Sequence, residues 1–311
     1  MEINIVVREI VYNLNDCTNE NNKNKADGDK SIYYSSHIWP CSPVLSQYIV
    51  LNDVVKNKNI LELGCGTTIL PSILSYKLGA NIILSTDSCF KLHNQNDLKN
   101  LCYFYKSFKF FSNYLKDGIS KGITEKYSDL QDIKINANIF QKNALYNLDA
   151  NNITPYYCNT FSDFIKLSHN FLRKSLYLMP LIWGDIFLKL NDKNTNDETS
   201  AKEENHKFDV ILASDIFYDG DNYTDIMYTL KNLALGNKNV QIFITYQRRD
   251  SENFGYFYNG VSRQLAHYFE YWGFLYERIE LDESLYNNIA GSNLPGNHVI
   301  DLYRLWINDN S

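Results

Sequence analysis

The stretch Asn59-Ile-Leu-Glu-Leu-Gly-Cys-Gly-Thr-Thr68 decides how this chain is read. A short apolar run that breaks off in glycine has the pattern of a buried parallel strand. Gly64 and Gly66 allow a tight turn and a close approach of backbone to a bound molecule. Thr68 to Leu78 continues with helical spacing, so unpaired N–H groups of a helix start face the turn. A second apolar run, Asn81-Ile-Ile-Leu-Ser-Thr86, is closed by Asp87. Strand, glycine turn, helix, strand, acid is the order of a nucleotide-type site, in which a carboxylate ending the second strand accepts both ribose hydroxyls.

Working outward, strand and helix patterns alternate. A helix is expected over Phe90 to Leu101 and strands over Ser175 to Leu181 and Phe208 to Ala213. A helix over Asp221 to Leu235, a strand over Val240 to Tyr246 and a helix over Tyr256 to Trp272 follow. Two closing strands, Phe274 to Leu281 and Val299 to Ile307, have no helix between them. The expected fold is α/β: one Rossmann-like, doubly wound, seven-stranded sheet spanning residues 1–311, mostly parallel with an antiparallel edge. Two Asn-rich polar stretches, 13–30 and 191–207, lack apolar periodicity and read as loop insertions. A third, 103–174, is rich in Tyr, Phe, Lys and Asn and reads as an inserted subdomain.

The 311 residues are 44% apolar and 21% charged, the balance of a globular chain. A net charge of −6 argues against a broad nucleic-acid footprint and suits a basic partner. No apolar run is long enough to span a membrane, and Met1 to Val11 lacks the basic start and cleavage site of a signal peptide. The six cysteines form no CxxC or zinc spacing, so reduced thiols, no metal and a cytoplasmic or nuclear location are expected.

Which cofactor the glycine turn serves follows from what is missing. Ile69 stands where a dinucleotide site has its third glycine, and no Gly-Lys-Ser/Thr of a P-loop is present. Glu62, two residues before the first glycine, is typical of sites for S-adenosylmethionine, where no pyrophosphate has to be cradled.

Seven ordered segments then resemble the family 16 lysine-methyltransferase-like group of class I methyltransferases. They are Ser36-His-Ile-Trp-Pro-Cys-Ser-Pro-Val-Leu-Ser-Gln-Tyr48 with Ile60 to Gly66, Ile83 to Ser88, Leu181-Ile-Trp-Gly184, Phe208 to Tyr218, Val240 to Arg249 and Leu294-Pro-Gly-Asn-His298. The sequence departs from the group at Ser35, Thr68 and Ser72, where small residues or glycine are usual. The resemblance implies S-adenosylmethionine as cofactor and methylation of a protein side chain. Its nearest part implies an arginine of histone H3 as acceptor.

The expected cofactor contacts are Trp39, Glu62, Gly64, Gly66, Asp87, Trp183 and Ser214, with both tryptophans carried over from the resemblance. Asp215 and Tyr218 end the strand that addresses the acceptor in this fold and are the expected catalytic pair. A guanidinium is always protonated, so a carboxylate has to hold it and take its proton. Tyr218 would face that cation as an aromatic wall. Asp219, Tyr246 and Gln247 are expected to line the acceptor channel, while Asp221 reads as a helix N-cap. Lysine methylation, and a cofactor-binding but inactive scaffold, are the alternatives.

Overall fold

Ile60, Leu61 and Leu63 lose all contact with solvent, as a strand covered on both faces requires. The computed structural model describes residues 38–90, 139–170, 174–185, 208–235, 237–247, 265–281 and 300–307. Helix α1 (Cys41–Asn52) leads into β1 (Asn59–Leu63), α2 (Leu70–Lys77) and β2 (Ile82–Thr86). Then come α3 (Ile139–Ala150), β3 (Tyr156–Tyr157), α4 (Phe161–Asn170) and β4 (Ser175–Met179). The chain continues with β5 (Val210–Ser214), α5 (Tyr223–Leu235), β6 (Gln241–Gln247), α6 (Leu265–Tyr271), β7 (Phe274–Ile279) and β8 (Ile300–Ile307).

The strands form one sheet in the order β3-β4-β2-β1-β5-β6-β8-β7. All pairings are parallel except those of β8, which runs antiparallel to both β6 and β7. Successive strand residues face opposite sides, so the core is split in two. Ile60, Ile83, Leu178 and Phe243 pack with Leu45 of α1, Ile73 of α2 and Leu148 of α3. Leu61, Tyr177, Ile211 and Ile244 pack with Phe164 of α4, Leu230 of α5 and Phe269 of α6. The strand order reverses at β1, between β2 and β5. In such sheets ligands bind in the crevice at the carboxyl ends of the two strands flanking that switch.

Three expectations change. The sheet has eight strands rather than seven, because Tyr156 and Tyr157 add a short parallel edge to Tyr177 and Leu178 of β4. Residues 139–170, read as part of an insertion, supply helices to both faces. The helix expected at Phe90 to Leu101 lies mostly outside the described residues; Ser88–Phe90 is a 3₁₀ turn, and the helix described between β2 and β4 on the α2 face is α3. Asn143, Asn147 and Asn151 lie on the buried side of α3 and its C-terminal turn. They break the apolar periodicity by which a buried helix is recognised. Helix α1 was likewise not foreseen, since Ser42 and Ser46 occupy its buried face. The expected helix over Tyr256 to Trp272 is described from Leu265 on. The loops 13–30 and 191–207 and the segment Leu294 to His298 lie outside the described residues. Among those described, no helix is long and apolar enough to cross a membrane.

Phe164 of α4 is fully buried and meets Tyr177 edge-on at 5.2 Å. Phe164→Ala is expected to lower the unfolding free energy by about 3 kcal/mol or more, the usual scale for truncating a core aromatic. Urea denaturation measures this. An unchanged midpoint would mean that α4 does not belong to the core.

Candidate active site

The site begins where β1 stops. Gly64 and Gly66 take φ of +67° and +58°. A Cβ on Gly64 would lie 2.8 Å from Ile216 Cγ2 and 3.3 Å from the Trp183 ring, so no side chain fits there. The glycine turn therefore lies directly against the segments that follow β4 and β5. Cys65 N donates to Thr86 O at 3.0 Å, and Gly66 N donates to Asp87 Oδ2 at 2.9 Å. Asp87 is itself held across the neighbouring strand: its N–H donates to Met179 O, and its carbonyl accepts from Leu181 N.

Glu62 has a different task from the one its position suggested. It is 1% exposed and turned toward α2, where its Oε2 accepts from Ser72 N at 3.0 Å and from Ser72 Oγ. Ser85, paired with Glu62 in register, donates to Ser72 Oγ at 2.7 Å. Glu62 Oε1 is buried with no hydrogen-bond partner among the described residues. Glu62 thus braces β1 against α2 beneath the turn. The signal was present at Ser72, one of the departures from the family pattern, because a hydroxyl there gives the carboxyl group a donor.

Trp183 follows β4 and is half-buried, its ring 6.2 Å from that of Tyr218 in an edge-on arrangement. Gly184, at φ +87°, sits against Asp225 and donates its N–H to Thr229 Oγ1 at 2.9 Å, which fixes Trp183 against α5. Asp215 follows β5 at once. It is 5% exposed, has φ +53° and donates its N–H to Thr245 O at 2.9 Å. Asp tolerates this left-handed backbone better than most residues. The kink drives Ile216 and Phe217 into the core, and Tyr223 Oη secures Phe217 O at 2.8 Å.

Gly64, Asp87, Trp183, Asp215 and Tyr218 thus share one end of the sheet. Ser214 is half-buried and pairs with Thr245; Tyr246 and Gln247 close β6 opposite Asp301 and Ile300. Trp39, half-buried, immediately precedes α1, whose Cys41 O accepts from Thr245 Oγ1 at 3.1 Å, so its segment lies at the same end of β6. Asp219 is exposed and caps its own turn, accepting from Asp221 N and Asn222 Nδ2, both at 3.2 Å. Asp219 thus caps the 3₁₀ turn Gly220–Asn222 that leads into α5, and Asp221, expected as a helix N-cap, lies inside that turn. Sequence reading passed over Ile216, which had no signal beyond its apolar character.

These residues fit an adenosyl group. The turn admits no Cβ, a half-buried carboxylate ends β2 for a ribose diol, and Trp183 supplies an apolar wall. A doubly wound sheet with a glycine turn after β1 and a carboxylate after β2 is the layout of a nucleotide-type site, and the family match makes it that of a methyltransferase. A family model described as "Methyltransferase domain" matches residues 45–285, and the chain belongs to that family. It is similar to methyltransferase-like protein 23 of Dictyostelium discoideum, at 29% identity over 227 residues, 70% of this chain and 63% of that protein. The chain thus spans less than two thirds of that relative's length. The human histone-arginine methyltransferase METTL23 is 24% identical over 273 residues, covering 86% of this chain and 94% of that one. Among solved structures, the plantazolicin methyltransferase BpumL in complex with SAH covers 94% of this chain and 92% of that one, at 10% identity and a TM-score of 0.35.

Two outcomes test this arrangement. Asp87→Ala is expected to weaken S-adenosylmethionine binding by more than ~1 kcal/mol in calorimetry, through lost charge-assisted hydrogen bonds; unchanged affinity would move the ribose partner elsewhere. The second concerns Glu62. Burial raises its carboxyl from 4.5 to about 7, against the lowering effect of the Ser72 bonds, with a smaller upward push from Asp87. The folded protein therefore holds this proton more tightly than the unfolded chain. Stability from this group is fully present below the unfolded value and is lost as pH rises through about 7. Between pH 5 and 8 the loss should be on the order of 2 kcal/mol. Glu62→Gln keeps an oxygen for Ser72 and should flatten that part of the pH profile of unfolding free energy. A mutant as pH-dependent as the wild type would assign the slope to another group.

Proposed function

We propose that this methyltransferase acts on a protein and that its acceptor is an arginine of a basic tail, such as that of histone H3. The carrying observation is Asp215, buried just past the carboxyl end of β5 and three residues before Tyr218, whose ring meets that of Trp183 edge-on. The similarity to proteins named histone-arginine methyltransferase supports the same reading, as does the net charge of −6.

S-adenosylmethionine, when bound, supplies a methyl group on a sulfonium centre. Asp87 and the Gly64–Gly66 turn would hold it, and Trp183 would wall its base. The protein's remaining task is to bring a guanidinium out of water and to take one proton from it. A buried cation is costly without a partner, and Asp215 provides one. The same carboxylate accepts the proton released as the acceptor nitrogen becomes methylated. Tyr218 gives the cation an aromatic face, and Tyr246 and Gln247 border the acceptor on the β6 side. Alignment and a fixed countercharge contribute most of the acceleration in such a site.

Asp215→Asn is a conservative probe, because Asn adopts φ near +53° as readily as Asp. The mutant should fold and should bind cofactor nearly as well as the wild type. Methyl transfer to a histone H3 peptide in single turnover should fall by roughly two orders of magnitude, the scale for losing a positioned proton acceptor. Transfer at the wild-type rate would make Asp215 structural. Labelling of lysine instead of arginine would replace the acceptor, and no labelling with cofactor bound would mark a scaffold.

A further inference from the structure

The turn between β1 and α2 is strained as well as tight. Ile69 is β-branched, fully buried and at φ +51°, and it opens α2 with no side-chain cap. Such a residue keeps this backbone only where its surroundings over-determine it. Part of that determination comes from α3. Thr67, two residues before Ile69, is fully buried although polar. Its hydroxyl accepts from Asn143 Nδ2 at 3.0 Å and its carbonyl from Asn147 Nδ2 at 3.0 Å. One turn further on, Asn151 Nδ2 donates to Asn147 O at 2.8 Å, and Lys77 Nζ of α2 donates to Asn151 O at 3.4 Å.

Asn143, Asn147 and Asn151 recur every fourth position, which places them along one side. Asn is a weak helix former, and its amide is costly to bury unpaired. Aliphatic residues would pack α3 on the sheet with neither penalty. What the amides supply, and aliphatic residues could not, is a fixed grip on the backbone and side chain of Thr67. We propose that Asn143 and Asn147 are positioning residues for the cofactor. Through Thr67 they hold the Gly64–Gly66 turn in the form that receives S-adenosylmethionine.

The probe is S-adenosylhomocysteine titrated by calorimetry into the full chain and its variants. Asn143→Ala, Asn147→Ala and Thr67→Val should each raise Kd roughly tenfold or more, the effect of one buried hydrogen bond lost at the turn. Thr67→Ser keeps both acceptors and should stay within about twofold. Thermal unfolding without ligand and amide exchange at residues 66–68 complete the comparison. Faster exchange at the turn should accompany the weaker binding. A purely structural role would lower the unfolding midpoint and leave Kd alone, and wild-type Kd in folded variants overturns the proposal. A Thr67→Ser defect as large as that of Thr67→Val overturns it as well. If an Asn variant does not fold, the isosteric Thr67→Val carries the decision.

Discussion

The path of the chain out of β1 constrains everything else at the active end of this protein. Within six residues the backbone leaves a fully buried strand, passes through left-handed conformations at Gly64, Gly66 and Ile69 and enters a helix whose first turn is largely buried. Cys65, Thr67, Thr68 and Ile69 are buried and Gly64 and Gly66 half-buried, so backbone donors of that stretch call for internal acceptors. Asp87 answers Gly66 N, Thr86 O answers Cys65 N, and Glu62 answers Ser72 N. These bonds come from β1, β2 and α2 together, so the turn has its shape only when the sheet is assembled.

The underside of the turn is correspondingly polar. Glu62, Ser72, Ser85, Thr67, Asn143 and Asn147 are all buried between the sheet and its helices. An apolar cluster of similar volume would avoid the desolvation that raises the Glu62 carboxyl to about 7. It would also leave the backbone of the turn without partners. Conformational specificity at the cofactor loop is obtained here at a cost in stability, the pattern expected where a strained segment serves binding.

The segment after β5 turns on another left-handed residue, Asp215, and packs against the glycine turn. Ile216 touches the space that a Cβ at Gly64 would occupy, and Trp183 closes the same space from β4. The cofactor loop and the acceptor segment are therefore in van der Waals contact. A shift of either is felt by the other, because packed interiors do not deform smoothly.

Local chemistry alone determined β1, the glycine turn, Asp87 and the parallel alternation, because each is written in consecutive residues whose spacing carries its own physics. Asp215 stands out for the same reason, as an acid at a strand end, whereas Trp183 is singled out by the family resemblance. What only the tertiary structure decided depends on partners far apart in the chain. Glu62 braces α2 because Ser72 and Ser85 stand opposite it. Asp219 became a cap because Asp221 and Asn222 curl back to it. Helix α3 was hidden because its asparagines look solvent-facing in sequence. They are buried only because Thr67, some eighty residues away, offers them acceptors. A pattern of apolar positions reports which side chains shed water; it does not report which polar side chains have found each other inside.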